Sequence, residues 1–151
     1  VTPLLAVPDD PPPGVEDLWF MLHVLFERMR DYRFLYRDLD EITSRNRKLA
    51  ARVADLLRRI ERTVVEFCRS LVRSGAMHAS EREIAALAAN AALVSTYWMS
   101  WQRIAGAPAR AGATAPEVSL TQAAYQVLAL IAPFLLGDNR ALIEKLSADY
   151  L

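Results

Sequence analysis

A stretch without charge constrains this chain most: Ile84 to Trp101, reading IAALAANAALVSTYWMSW. It is rich in Ala and holds neither Gly nor Pro, so it favours helix. A helix that borders water normally turns charge toward it, and this one has none to turn. It must be covered on most sides, by its own chain or by another copy. Ser80 and Glu83 precede it at the S-x-x-E spacing of a capping box, which sets its start. A second uncharged stretch, Ser119 to Gly137 (SLTQAAYQVLALIAPFLLG), makes the same demand. One chain of 151 residues has little room to cover both. The simplest solution pairs the two helices with the same two of a second copy, as a four-helix bundle with small crossing angles. The seam is then expected along Ala88, Ala92 and Ser95 of the first stretch and Gln122, Leu128 and Ile131 of the second.

Both stretches approach the roughly 20 apolar residues that span a bilayer. Asn90, Ser95, Thr96, Ser100, Gln122 and Gln126 interrupt them, and much of the first is Ala, so burial in protein is the better reading. With 53% hydrophobic residues the chain can build a core of its own, and its length suits one domain. Eighteen basic residues balance eighteen acidic ones, so the overall charge advertises no nucleic-acid surface. Cys68 is the only cysteine, which rules out an intrachain disulfide and fits a reducing cytoplasm. The first residues, VTPLLAVPDDPPPG, lack the basic start and apolar core of a signal peptide.

Residues 1–14 hold five prolines and read as a linker or the remnant of one. Residues 15–151 read as one all-α domain, an antiparallel helical bundle. Leu18, Leu22, Leu25, Met29, Tyr32 and Tyr36 recur at helical spacing and predict a helix from about Val15 to Tyr36, with a break before Asp38 to Ile42. Ser44 to Asn46 reads as a turn, with Asn46 capping a long amphipathic helix from Arg47 to about Ser74 that Gly75 ends. The uncharged helix fades near Arg103, and Ala105 to Pro116 reads as a loop. Ser119 and Gln122 form a second capping-box pattern, expected to open the next helix. Pro133 should kink that helix or tighten its last turn, and Gly137 should end it. Asp138 or Asn139 caps a final helix to about Tyr150, with Leu142, Ile143 and Leu146 inward.

Catalytic patterns are missing. His23 and His78 lie far apart and, with Cys68, make poor support for a zinc site. There is no Glu-x-x-His pair for a di-iron bundle, no phosphate loop and no nucleophile elbow, so neither an enzyme nor a cofactor is expected. Cys68 sits near the apolar stripe of its helix and reads as a buried filler rather than a nucleophile. His23 draws more interest, because Trp19 and Phe26 lie one turn away on the same face. With Tyr97, Trp98, Trp101 and Tyr125 from the uncharged helices, these residues are the candidate lining of an apolar cavity with a few polar tips. The plain alternative is that the aromatics merely fill the core.

The run DLWFMLHVLFERMRDYRFLYRDLDEITSRNRKL (Asp17 to Leu49) resembles the effector-binding region of tetracycline-repressor-type (TetR) regulators. The resemblance continues through CRSLVRSGAM, ALAANAALVSTYWMSW and AAYQVLALIAPFL, and so covers nearly everything after the Pro-rich start. LHVLFERMRDYRFLYRDL and YWMSW are its most specific strings. It implies an all-helical, dimeric regulator with an effector pocket in each subunit and two long helices in the dimer bundle. It also implies a helix-turn-helix head that reads operator DNA. No such motif stands before Val15, so the head is expected upstream of Val1, and residues 15–151 are expected to dimerise and bind a small hydrophobic effector without reading an operator themselves. Two rival classes stay open: a structural dimerisation module without ligand, and a small helical enzyme or lipid carrier.

Overall fold

The computed structural model describes Gly14, Glu16, Asp17, Phe20, Met21, His23, Val24 and residues 39–105 and 115–148, leaving aside the side chains of Met99, Arg103, residues 115–121 and Ser147. Trp19, Phe26, the Pro-rich start and most of the loop expected at 105–116 lie outside the described residues. From residue 39 on, the described residues form, in order, α1 (Leu39–Arg45), α2 (Arg47–Arg73), α3 (Glu81–Ala105), α4 (Ala115–Ile131) and α5 (Asp138–Ala148), with a 3-10 turn at Ala132–Phe134. Glu16, Asp17, Phe20, Met21, His23 and Val24 are helical as well, which agrees with the first expected helix at the positions described. No strand occurs among the described residues, only an isolated antiparallel bridge between Met77 and Leu135.

Local chemistry sets the helix ends. Asn46 caps α2 by accepting from the Leu49 N–H at 3.1 Å. At the other end Gly75 takes φ +80°, the left-handed region where a Cβ is penalised. The Ala76 N–H then returns to the Leu71 carbonyl and the Gly75 N–H to that of Val72, a Schellman closure. The Ser80–Glu83 capping box is formed both ways: the Ser80 N–H donates to Glu83 Oε2 at 2.7 Å, and the Glu83 N–H to Ser80 Oγ at 3.2 Å. The second capping-box pattern is not at a helix start. The α4 helix begins at Ala115, four residues before Ser119, with Pro116 in its first turn, where the missing proline N–H costs nothing. It also ends at Ile131 rather than Gly137. Pro133 converts the last turn to 3-10, and Leu135 and Leu136 then run extended against the α2–α3 loop.

That extended pairing is a backbone clasp. The His78 N–H donates to the Phe134 carbonyl and the Leu136 N–H to the Ala76 carbonyl, both at 2.9 Å. It ties the α2–α3 and α4–α5 connections together at one end of the bundle. At the other end, the Gln102 side-chain amide donates to Gln122 Oε1, joining α3 to α4. Between them runs the core. Ile60, Val64, Phe67, Cys68 and Leu71 of α2 meet Ile84, Ala88, Ala91 and Ala92 of α3 and Ala123, Ala124, Val127, Leu128 and Ile131 of α4. Alanines on α3 and α4 let the helix backbones approach closely. No helix among the described residues is long and apolar enough to cross a membrane.

The dimer seam expected from the sequence needs correction. Ala88, Ala92, Ser95, Leu128 and Ile131 are each 5% exposed or less within a single chain, and half-buried Gln122 is bonded to Gln102 of the same chain. Their surface is already consumed by the chain's own core. Helical phase alone could not tell which apolar side of an all-apolar helix faces inward.

Candidate functional site

The α3 helix divides into two faces. Its inner face buries Ile84, Leu87, Ala88, Ala91, Ala92, Ser95 and Thr96. The Thr96 hydroxyl is spent on the Ala92 carbonyl at 2.7 Å, so its burial leaves no unpaired donor. Its outer face carries Ala86, Ala89, Leu93, Tyr97, Trp101 and Ile104, all exposed and none charged. Trp101 is 60% exposed, Leu93 58% and Ile104 80%, an apolar stripe open to solvent in the single chain.

The candidate aromatics therefore part company. Trp98 is half-buried and packs against the core. Its indole N–H is buried and is the one buried side-chain N or O among the described residues without a partner. Such a group ordinarily costs about 1–3 kcal/mol if left unsatisfied, so it asks for an acceptor. Tyr97, one residue earlier, points outward, and its hydroxyl donates to Asp40 Oδ1 at 3.2 Å. Partial burial first, and the Asp40 carboxylate second, hold the Tyr97 phenol above its usual pKa, so it remains a donor at neutral pH. Trp101 shares the outer stripe. Tyr125 of α4 instead borders a separate groove of about 210 Å³ with Ala129, Pro133, Arg140, Ile143 and Glu144. An Arg140–Glu144 ion pair at 3.0 Å stands beside that groove, which is smaller than the roughly 300–1,000 Å³ usual for ligand sites. His23 is half-buried, and Met21, two residues earlier, packs against the core. Among the described candidates, Tyr125 alone lines that groove, and Trp19 and Phe26 lie outside the described residues.

Two contributors escaped sequence reasoning. Asp40 pairs with Tyr97 across 57 positions, a distance at which no periodicity speaks. Gln102 follows Trp98 by four residues and Ser95 by seven, so its helical phase places it on the inner face, one position beyond the uncharged stretch. Cys68 is buried, as its position on the apolar stripe suggested, and burial pushes its thiol pKa up to about 11. No cluster of three or more His, Cys, Asp or Glu suited to a metal ion occurs among the described residues.

A TetR-family transcriptional regulator from Marinobacter aquaeolei VT8 superposes with a TM-score of 0.81 at 27% identity, over 97% of this chain and 68% of that one. Residues 1–143 match the family TetR, bacterial transcriptional repressor. The chain belongs to the TetR family. No match was found among curated proteins.

Proposed function

We propose that this chain is the effector-binding and dimerisation part of a TetR-type regulator, taking a small, largely apolar effector on the inner side of α3 near Trp98. One observation carries the reading: a buried indole N–H without an acceptor, on the helix that joins the core. A ligand with an apolar body and one hydrogen-bond acceptor answers both features. Operator DNA is read, in this account, by a head outside residues 1–151. Two heads on a dimer must match half-sites about 34 Å apart, so an effector that favours another spacing lowers operator occupancy by population shift. The helix that includes His23 is the transmitter in this scheme.

The homodimer uses the outer face of α3, because four of the exposed large apolar side chains among the described residues, Leu93, Tyr97, Trp101 and Ile104, line up on it. A second reading, a dimerisation module without ligand, is favoured by the outward positions of Tyr97 and Trp101 and by the separate groove at Tyr125.

A titration with Nile red, a neutral apolar dye with a carbonyl acceptor, separates the two. The effector reading expects saturable binding near one dye per chain, with tryptophan emission quenched in the Trp101→Phe variant. Trp98→Phe should weaken it by about tenfold, the worth of one hydrogen bond. Unsaturable binding, or equal affinity in Trp98→Phe, would leave the bare dimerisation module.

A further inference from the structure

The zero net charge of the chain conceals a segregated helix. Within α2 (Arg47–Arg73) eight basic residues stand against three acidic ones, while the rest of the chain holds ten basic against fifteen acidic. All eight are exposed. At about 100° per residue they fall within an arc of about 140° opposite Ile60, Val64, Phe67 and Leu71, along about 38 Å of helix. Asp55 and Glu66 alone among acidic residues of α2 share that arc. Arg58 spends its charge on Asp55, and Arg69 makes a two-pronged pair with Glu81 at 2.8 and 3.1 Å. Arg47, Lys48 and Arg52 have no acidic partner among the described residues, and Arg62 reaches only the Arg58 carbonyl.

We propose that this outer face of α2 binds nucleic-acid duplex through its backbone phosphates, without regard to base sequence. Seven of the eight basic residues are Arg, whose planar fork matches phosphate oxygens and sheds water more readily than Lys. No aromatic residue lies in the arc, so stacking on single-stranded bases is not on offer. The apolar face of α2 is already committed to the core, so it has nothing to insert into a lipid surface. A straight charged strip that carries no base-reading groups suits the regular phosphates of a duplex. Its role would be to hold the domain beside DNA and add affinity that any sequence can supply.

The test uses the full chain and a fluorescent 30-base-pair duplex of random sequence, titrated at several salt concentrations. The expected affinity at 50 mM salt is about 10–100 µM, with a log–log salt slope of about −3, equal for a scrambled duplex. Arg52→Gln with Arg62→Gln, both on the exposed face, should weaken binding by about tenfold or more and flatten the slope by about two. Arg140→Gln with Lys145→Gln, which removes the same charge from α5, should change it less than twofold. Absence of binding at 50 mM salt would overturn the proposal. So would equal losses in the two variants, or stronger capture by an acidic peptide or by phosphatidylserine vesicles than by the duplex.

Discussion

Single residues at the loop before α3 hold the start of the central helix. Glu83 is held below the ordinary carboxylate pKa, chiefly by the Ser80 N–H and then by the Ser80 hydroxyl; Glu81 is held below it by the Arg69 guanidinium. Groups shifted this way lend stability that is fully present above the unfolded carboxylate pKa and lost as pH falls through the lowered one. Melting temperature should therefore drop on the acid side of about pH 4.5, and Glu83→Gln should show a shallower drop than the parent. Ser80→Ala should cost about 1 kcal/mol at neutral pH, measured by urea unfolding. Gly75→Ala meets no neighbour within 4 Å, so its cost comes from φ +80° alone, about 1 kcal/mol. At Cys68 the raised pKa keeps the thiol neutral at pH 7–8. Labelling with a thiol reagent should be slow in the folded protein and fast in denaturant, whereas rapid labelling of the native chain would contradict its burial.

At the scale of elements, α2 was legible from the sequence because its two faces differ in chemistry. Its apolar stripe, the Asn46 cap and the Gly75 stop all lie where period and residue type put them. Phe67, 1% exposed at the α2–α3–α4 contact, should cost about 3–5 kcal/mol as Phe67→Ala. The α3 helix was legible only as a helix. From Ile84 to Trp101 it carries no charge, so nothing in that stretch tells its inner face from its outer one, and a seam expected along Ala88, Ala92 and Ser95 falls in the core. The α4 boundaries slipped for a related reason: Ser119 and Gln122 have the spacing of a cap, but Pro116 offers an earlier start and Pro133 an earlier end. The site was less legible still. Trp98 is half-buried and Trp101, three residues on, is exposed, so aromatic density on one helix does not by itself fix which rings face a site. Net charge misled as well, because a balanced total says nothing about how α2 gathers the basic residues.

For the whole molecule, the account rests on α3 serving two interiors, its inner face within one chain and its outer face against a second copy. A dimer built this way should bury more than roughly 2,000 Å² in total, as stable homodimers commonly do. Substitutions on the two faces should separate folding from assembly. Ala92→Glu or Leu128→Glu would place a charge in the core and should unfold the chain, whereas Leu93→Glu sits on the outer stripe and should leave helix content unchanged. Sedimentation velocity at micromolar concentration tests this most directly. The account predicts twice the chain mass of 16.9 kDa for the parent and a folded monomer for Leu93→Glu. A parent chain that sediments as a monomer, or a Leu93→Glu variant that stays a dimer, would contradict it.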